Sequence, residues 1–182
     1  ALRLAAQAGV PTRIAHSHSD TAAHESQARP ARRAYLALME RWVRRCATTG
    51  LAASAQAAAA LFGPGWQRAP RWRTLYYGID LAPFRAPADR AACRAEFGLP
   101  AGALVIGHVG SFKPVKNHAF FVEIAAEIAR REPRARFLLI GDGPLRPAIE
   151  QRAQAAGLGD RAVFAGPRGD VPRLLRGAMD VF

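Results

Sequence analysis

The sequence has few cysteines and no long apolar run. Its 182 residues contain two cysteines, Cys46 and Cys93, which are too few for a disulfide framework and are expected to be reduced thiols. No apolar run approaches the ~20 residues that a membrane-spanning helix needs. The first residues lack a basic leader and a long apolar stretch, so no secretory signal is expected. These absences together predict a cytoplasmic protein.

Lysine is nearly absent although the chain is strongly basic. The net charge is +12 at pH 7, and Lys113 and Lys116 are the only lysines among 26 basic residues. Abundant arginine beside abundant alanine is typical of a G+C-rich coding sequence, so the charge alone is weak evidence for nucleic-acid binding. Attraction to an anionic membrane surface or to a phosphate-bearing substrate stays open. Both lysines lie in one loop, which is therefore a candidate site.

Strand-like and helix-like segments alternate along the chain with short connections. In the second half, strands at 104–109 and 136–140 are followed by amphipathic helices at 117–131 and 145–156. This alternation predicts an α/β fold with a parallel sheet covered by helices.

The domain organisation is indicated by one aperiodic segment. Residues 78–88 contain glycine and prolines without periodicity, so they are the expected linker between domains at 1–77 and 89–182. The chain starts inside a helical pattern and ends inside a strand-like pattern, which predicts a fragment that lacks both ends.

The strongest candidate site begins with Gly110, directly after the strand at 104–109. Glycine lets a ligand approach the backbone closely, and the helix that starts near Asn117 presents N–H groups that suit a phosphate. Lys116, just before that helix, adds a positive charge. The alternative is a solvated loop in which Asn117 only caps the helix. The Walker loop and the Rossmann glycine triplet are both absent.

Two further glycine turns follow later strands. Gly141 and Gly143 permit a tight turn near a ligand, and Pro144 is expected in the first turn of the next helix. The turn from Gly166 contains Arg168, and Asp170 is expected to cap the following helix. Ligands of open parallel sheets bind beyond the carboxyl ends of the strands. Each turn alone favours an ordinary strand-to-helix connection, in which glycine is common.

A pair of histidines ends an early strand. His16 and His18 are two residues apart on an extended segment, so both side chains point the same way. A third ligand at a telling spacing is missing, and we therefore predict no metal site. One histidine at a strand end could instead bind a sugar hydroxyl or transfer a proton, and a histidine without a role is the alternative.

Taken in order, these segments resemble glycosyltransferase family 4, a family of retaining enzymes with the GT-B fold. The resemblance covers nearly the whole chain. It is carried by Arg13-Ile14-Ala15-His16-Ser17-His18, by Tyr77-Gly78-Ile79-Asp80 with Phe84, by Val109-Gly110 through Lys116-Asn117, by 137–144, and by 164–171 with Ala178-Met179-Asp180-Val181.

The resemblance implies parts of two Rossmann-like domains with parallel sheets. Residues 1–77 would be the end of the acceptor-side domain, and 89–182 the first part of the nucleotide-sugar domain. Lys116 would bind the donor diphosphate and stabilise the leaving group, where a preorganised cation lowers the cost of developing charge. His16 would lie near the transferred sugar. The remaining donor-binding positions would be Gly110, Ser111, Gly141, Gly143 and Arg168.

Three departures from the family pattern stand out. Ser111 replaces the family's arginine after the glycine, which removes one of two phosphate-binding cations. Tyr77 replaces the linker asparagine. The paired glutamates of the family are not in the chain, which is therefore expected to be inactive by itself.

The expected function is transfer of a sugar, with retention, from a nucleotide-diphosphate sugar to a glycan or lipid-linked acceptor. Cell-surface polysaccharide synthesis in the cytoplasm, at the inner membrane face, would suit it, and no metal or cofactor is expected. One alternative is a GT-B epimerase resembling UDP-GlcNAc 2-epimerase. The other is a basic nucleic-acid-binding module, for which Trp66-Gln67-Arg68 and Arg71-Trp72-Arg73 are the only hint.

Overall fold

The protein forms two compact units. The computed structural model describes residues 1–19 and 29–182, and the two units are Ala1–Ile79 and Asp80–Phe182. Their boundary falls within residues 78–88, the segment expected to be a linker.

The first unit is a three-stranded parallel sheet with helices between its strands. The sheet order is β1-β2-β3, with Ile14 paired to Thr49 and Gly50 paired to Trp72. Its described elements are α1 (Leu2–Gln7), β1 (Ile14–Ser17), α2 (Pro30–Cys46), β2 (Thr49–Ala52), α3 (Ala55–Phe62), a 3₁₀ turn (Trp66–Arg68) and β3 (Trp72–Thr74).

Small residues and one aromatic stack form the core of this unit. The rings of Phe62 and Trp72 are parallel, with centroids 4.5 Å apart, and they lie over Gly50. A side chain at position 50 would overlap both rings, so glycine lets the stack pack directly on β2. Ser54 accepts a hydrogen bond from the Ala57 amide, as expected of an N-cap of α3.

The second unit repeats the same architecture. Its sheet is parallel in the order β4-β5-β6, with Val109 paired to Ile140 at the carboxyl end. The elements are α4 (Ala82–Arg85), α5 (Arg90–Ala95), β4 (Leu104–Val109), a 3₁₀ turn (Pro114–Lys116), α6 (His118–Arg131), β5 (Ala135–Ile140), α7 (Arg146–Ala155), a 3₁₀ turn (Gly159–Arg161), β6 (Ala162–Gly166) and α8 (Val171–Gly177).

A hydrophobic core covers each face of this second sheet. Side chains alternate along β5, so that Leu138 and Ile140 join one core while Phe137 and Leu139 join the other. The strand is therefore buried on both faces, as a central parallel strand with helices on either side should be.

An ion pair between buried Arg94 and the partly exposed Asp180 ties residue 180 to the second unit. Arg94 is 2% exposed and donates to Asp180 at 2.6 Å and to the carbonyls of Ala101 and Ala103. Asp180 also accepts from the Val105 amide at 2.7 Å. The charge of the buried Arg94 is thus compensated by a carboxylate and by carbonyl groups.

The predicted α/β fold with parallel sheets is confirmed, while several boundaries differ. The helix expected at 145–156 is Arg146–Ala155, and the strand expected at 136–140 begins one residue earlier, at Ala135. Pro144 precedes its helix, because α7 begins at Arg146 and the proline in its first turn is Pro147.

Two aspartates precede helices of this unit, and they differ as caps. Asp89 caps α5 through the Ala92 amide. Asp170 occupies the N-cap position of α8 but makes no side-chain cap hydrogen bond. Within the described residues, the helices are too short or too polar to cross a membrane.

Candidate functional site

The three glycine turns predicted from the sequence meet at one edge of the second sheet. The Gly110 amide donates to the Ile140 carbonyl at 2.9 Å, and the Gly141 amide donates to the Gly166 carbonyl at 2.9 Å. The carboxyl ends of β4, β5 and β6 are therefore joined side by side. This is the edge at which open parallel sheets bind ligands.

The first two turns also interlock. The Phe112 amide donates to the Asp142 carbonyl at 3.0 Å, and the Leu145 amide donates to the Phe112 carbonyl at 3.1 Å. Gly141 has φ +135°, and a side chain there would overlap the backbone of Gly110. A Cβ at Gly143 would lie 2.8 Å from the Phe112 oxygen. Contacts with the neighbouring turn require glycine at these two positions, whereas the sequence analysis attributed the two glycines to a nearby ligand.

Lys116 lies beside Gly110, and both belong to the loop that the sequence singled out as a candidate site. It ends the 3₁₀ turn before α6, and Asn117 continues the chain with a left-handed φ of +46°. A Cβ placed on Gly110 would be 3.4 Å from both Cγ and Cδ of Lys116. The stem of the lysine therefore runs across the glycine at the end of β4, and a larger residue there would crowd it.

The amino end of α6 lies next to Lys116. Asn117 makes no side-chain cap hydrogen bond to this helix. The alternative interpretation, in which the role of Asn117 is to cap the helix, is therefore not supported. The first amides of α6 keep their partial positive charge next to Lys116. Ser111 and Lys113 are exposed on the same loop. The loop thus combines a cation, a helix terminus and exposed polar groups, which together suit an anion.

A buried aromatic cluster supports the loop from below, and sequence analysis gave it no role. The ring of His118 stacks on Phe112 with centroids 4.0 Å apart, and it lies 4.4 Å from the ring of His108. Phe121 meets His108 edge-on at 5.2 Å. The sequence feature that could have indicated this cluster is that His108 comes just before the loop and His118 directly after it.

Burial keeps both histidines uncharged. Burial lowers the pKa of His108. Contact with the Lys116 backbone raises this pKa in part, and the charge of Lys116 lowers it. Burial also lowers the pKa of His118, with the charges of His108 and Lys116 acting in the same direction. Protonation of either ring is therefore disfavoured beside Lys116.

The guanidinium of Arg168 is held by carboxylates of its own unit. It contacts Glu96 at 2.6 Å and Asp170 at 2.9 Å, and it lies over the Phe97 ring at 5.5 Å. Arg173 binds the same two carboxylates. Hydrogen bonds from Arg168 and Arg173 hold the pKa of Asp170 well below its usual range. Arg168 therefore anchors the turn after β6, and its side chain is occupied.

His16 belongs to the first unit, where it adjoins His18. Their ring centroids are 4.1 Å apart, which confirms that the two side chains point the same way. His18 hydrogen-bonds the Tyr77 hydroxyl. A groove beside the pair has apolar walls from Leu36, Met39 and other side chains of α2 and α3. Among residues 1–19 and 29–182, three or more His, Cys, Asp or Glu side chains nowhere gather as a metal site would require.

The chain is similar in sequence to known glycosyltransferases. Residues 103–182 match the family model described as glycosyl transferases group 1. "Putative glycosyltransferase EpsF" of Bacillus subtilis (strain 168) is 37% identical over 177 residues, which cover 96% of this chain and 45% of EpsF. D-inositol 3-phosphate glycosyltransferase of Nocardia farcinica (strain IFM 10152) is 41% identical over 98 residues, 50% of this chain and 22% of that protein. The chain thus spans less than half the length of these relatives.

Solved structures share the fold. HepE (Alr3699) of Anabaena in complex with UDP superposes with a TM-score of 0.77 at 21% identity, covering 96% of this chain and 47% of HepE. HepE was also solved in complex with UDP-glucose, with the same TM-score of 0.77. At this level of identity the likeness establishes the fold, and it agrees with the predicted GT-B-like architecture of two parallel sheets.

Proposed function

We propose that this chain, whose residues 103–182 match the family model of glycosyl transferases group 1, is the part of a retaining family 4 enzyme that holds the nucleotide-sugar donor. The enzyme moves a sugar from a nucleotide-diphosphate sugar to a glycan or lipid-linked acceptor. It acts in cell-surface polysaccharide synthesis, in the cytoplasm at the inner membrane face. Residues 1–77 form the end of the acceptor-side domain.

One observation carries the proposal. The stem of Lys116 crosses Gly110 at the carboxyl edge of the second sheet, beside the uncapped amino end of α6. A diphosphate placed there would face a fixed ammonium group and a helix terminus. Negative charge grows on the diphosphate as the sugar departs, so a preorganised cation stabilises the transition state more than the ground state.

Lys116, and not a neighbouring histidine, is the cation of this arrangement. Because burial lowers the pKa of both His108 and His118, the positive charge of the cluster is concentrated on the lysine. In this proposal Lys116 supplies the cation, with Ser111 and Lys113 beside it, and transfer needs no metal and no organic cofactor.

The first unit supplies the acceptor side. His16 borders a groove whose walls include Leu36 and Met39 and whose edge carries His18 and Glu40. Such a surface suits an acceptor with an apolar portion and hydroxyl groups. His16 would hydrogen-bond a sugar hydroxyl there.

The test is donor binding and transfer by the gene product in full. UDP and UDP-glucose are the first probes, because HepE of the same fold was solved with both. Lys116→Gln should lower kcat by about 10²–10³-fold, the effect of removing one transition-state donor. Arg131→Gln is the matched control, since that side chain is 80% exposed and pairs with Glu127 at the far end of α6.

Two results would contradict the proposal. A Lys116→Gln variant with unchanged kcat would remove the lysine from catalysis, and a product of inverted anomeric configuration would exclude retention. Release of nucleotide diphosphate without a glycosylated product would indicate the GT-B epimerase instead.

A further inference from the structure

His108 and His118 form a buried pair directly beneath the loop that carries Lys116. His118 is 2% exposed and is enclosed between Phe112 and His108. His108 precedes Gly110 by two residues, and His118 follows Lys116 by two. The pair therefore contacts both ends of the loop and ties them to one another.

Three of the four ring nitrogens of this pair are left without hydrogen bonds. In the part of the chain that the structure describes, both nitrogens of His118 and Nδ1 of His108 are buried and have no partner. Buried polar groups usually have partners, and the exceptions cost free energy. An apolar side chain at position 118 would avoid this cost, so a histidine there calls for a role.

The pair touches the part of the loop that positions the lysine. A Cβ on Gly110 would lie 3.5 Å from Cε1 of His108 and 3.4 Å from Cγ of Lys116. The imidazole and the lysine stem thus both lie next to the same backbone position. A shift of the His108 ring would displace Gly110, and the displacement of Gly110 would move Lys116.

A proton on His118 has no favourable place in this cluster, and a proton on His108 is favoured only by contact with the Lys116 backbone. Phe112 and Phe121, which complete its walls, carry no charge, and the charged group that acts on both rings is Lys116. A protonated imidazole would sit buried, close to a like charge and without a carboxylate partner. The ring would have to move towards solvent, and the loop would move with it.

We propose that His108 and His118 are positioning residues: as a neutral pair they hold the Lys116 loop against the end of β4, and their protonation in mild acid releases it. Resting on the proposed function, this assigns the donor site a built-in sensitivity to pH. The two rings act on the donor only through Lys116.

Donor affinity across pH is the first test, made on the gene product in full. UDP-glucose is the probe, because its diphosphate diester does not itself titrate in this range. We expect its Kd to rise at least about tenfold between about pH 7.5 and about pH 5.5, where histidine takes up a proton. His118→Phe should flatten this rise to about threefold or less, because a phenyl ring fills the same stack without titrating.

His118→Ala separates positioning from simple packing. It leaves a cavity under the loop, so at about pH 7.5 it should bind UDP-glucose more weakly than His118→Phe, by about tenfold. A His118→Phe variant that loses affinity in acid as steeply as the unmodified protein would overturn the proposal. A flat pH profile of the unmodified protein would overturn it as well.

A second measurement does not depend on the identity of the donor. Amide hydrogen exchange over residues 110–117 should accelerate in mild acid, beyond the intrinsic effect of pH, in the unmodified protein but not in His118→Phe. If UDP-glucose and other nucleotide sugars fail to bind at any pH, the proposed function fails while this exchange still tests the pair. Loop protection that is identical in both proteins across pH would reject the pair as a positioning element.

Discussion

At the scale of single residues, Gly141 is fixed by the backbone of a neighbouring turn. Its φ is +135°, and any side chain would overlap the Gly110 carbonyl. We expect Gly141→Ala to lower the free energy of unfolding by about 3 kcal/mol or more, since left-handed strain and a backbone clash add. Chemical denaturation measures this loss. Gly102→Ala is the control, because its Cβ meets nothing within 4 Å; equal losses in the two variants would contradict the explanation.

Asp180 carries a second prediction at this scale, because it neutralises the buried Arg94. Asp180→Ala should cost about 3 kcal/mol or more of unfolding free energy, as a buried charge loses its partner. Arg94 is 2% exposed and keeps its carbonyl contacts, so it cannot simply turn to solvent. Asp160→Ala, at an exposed aspartate, is the control. A loss no larger than that of the control would show that Arg94 is already satisfied by the carbonyls.

The same aspartate gives a pH dependence with a definite sign. Burial alone would raise the pKa of Asp180, but the Val105 amide, Arg90 and Arg94 lower it overall. Because the folded pKa is depressed, the stabilisation is complete above the ordinary value of about 3.9 and is lost as pH falls through the folded value. Unfolding free energies measured between about pH 7 and about pH 3 should therefore fall less steeply in Asp180→Ala than in the unmodified protein.

At the scale of elements, the turn between β6 and α8 is held by ion pairs. Arg168 and Arg173 share Glu96 and Asp170, so Arg168→Gln should loosen this turn. We expect a lower Tm and a steeper loss of stability with salt, while UDP-glucose affinity changes by less than about threefold. Lys116→Gln provides the contrast, with affinity lost and Tm kept. A large loss of UDP-glucose affinity in Arg168→Gln at unchanged Tm would instead indicate that the Arg168 side chain binds the donor.

The order of strands, helices and glycine turns could be predicted from the sequence because each is a local pattern. Period and turn residues place Gly110, Gly141 and Gly166 at strand ends, and parallel pairing then brings them together. The partner of Arg168 could not be found this way, since Glu96 lies on another element far away in the sequence. The His108–His118 contact likewise depends on how α6 packs on β4. Pro144 was misplaced because Pro147 fits the first helical turn equally well.

At the scale of the whole molecule, the positive charge is unevenly distributed. Residues 1–79 contain eleven arginines and three acidic residues, a net charge of +8, and residues 80–182 contribute the remaining +4. In the second unit many arginines are paired, such as Arg146 with Glu150 and Arg152 with Glu123. The helix α2 has five arginines, one glutamate and no buried residue. Attraction to anionic surfaces is therefore expected mainly from the first unit.

Vesicle binding tests whether this charge serves a membrane surface. The gene product in full should bind vesicles of anionic lipid and not vesicles of neutral lipid, and binding should fall between about 0.05 M and about 0.3 M salt. Replacing Arg32 and Arg33 of α2 by glutamine should weaken it by several-fold, at about 1 kcal/mol per residue near the surface. The same change at Arg130 and Arg131 of α6 is the matched control, because both pair with Glu127. Binding to polynucleotides should be weak and equally sensitive to salt. If it were instead tight, sequence-dependent and resistant to salt, the basic charge would serve nucleic acid, and the membrane-surface proposal would fail.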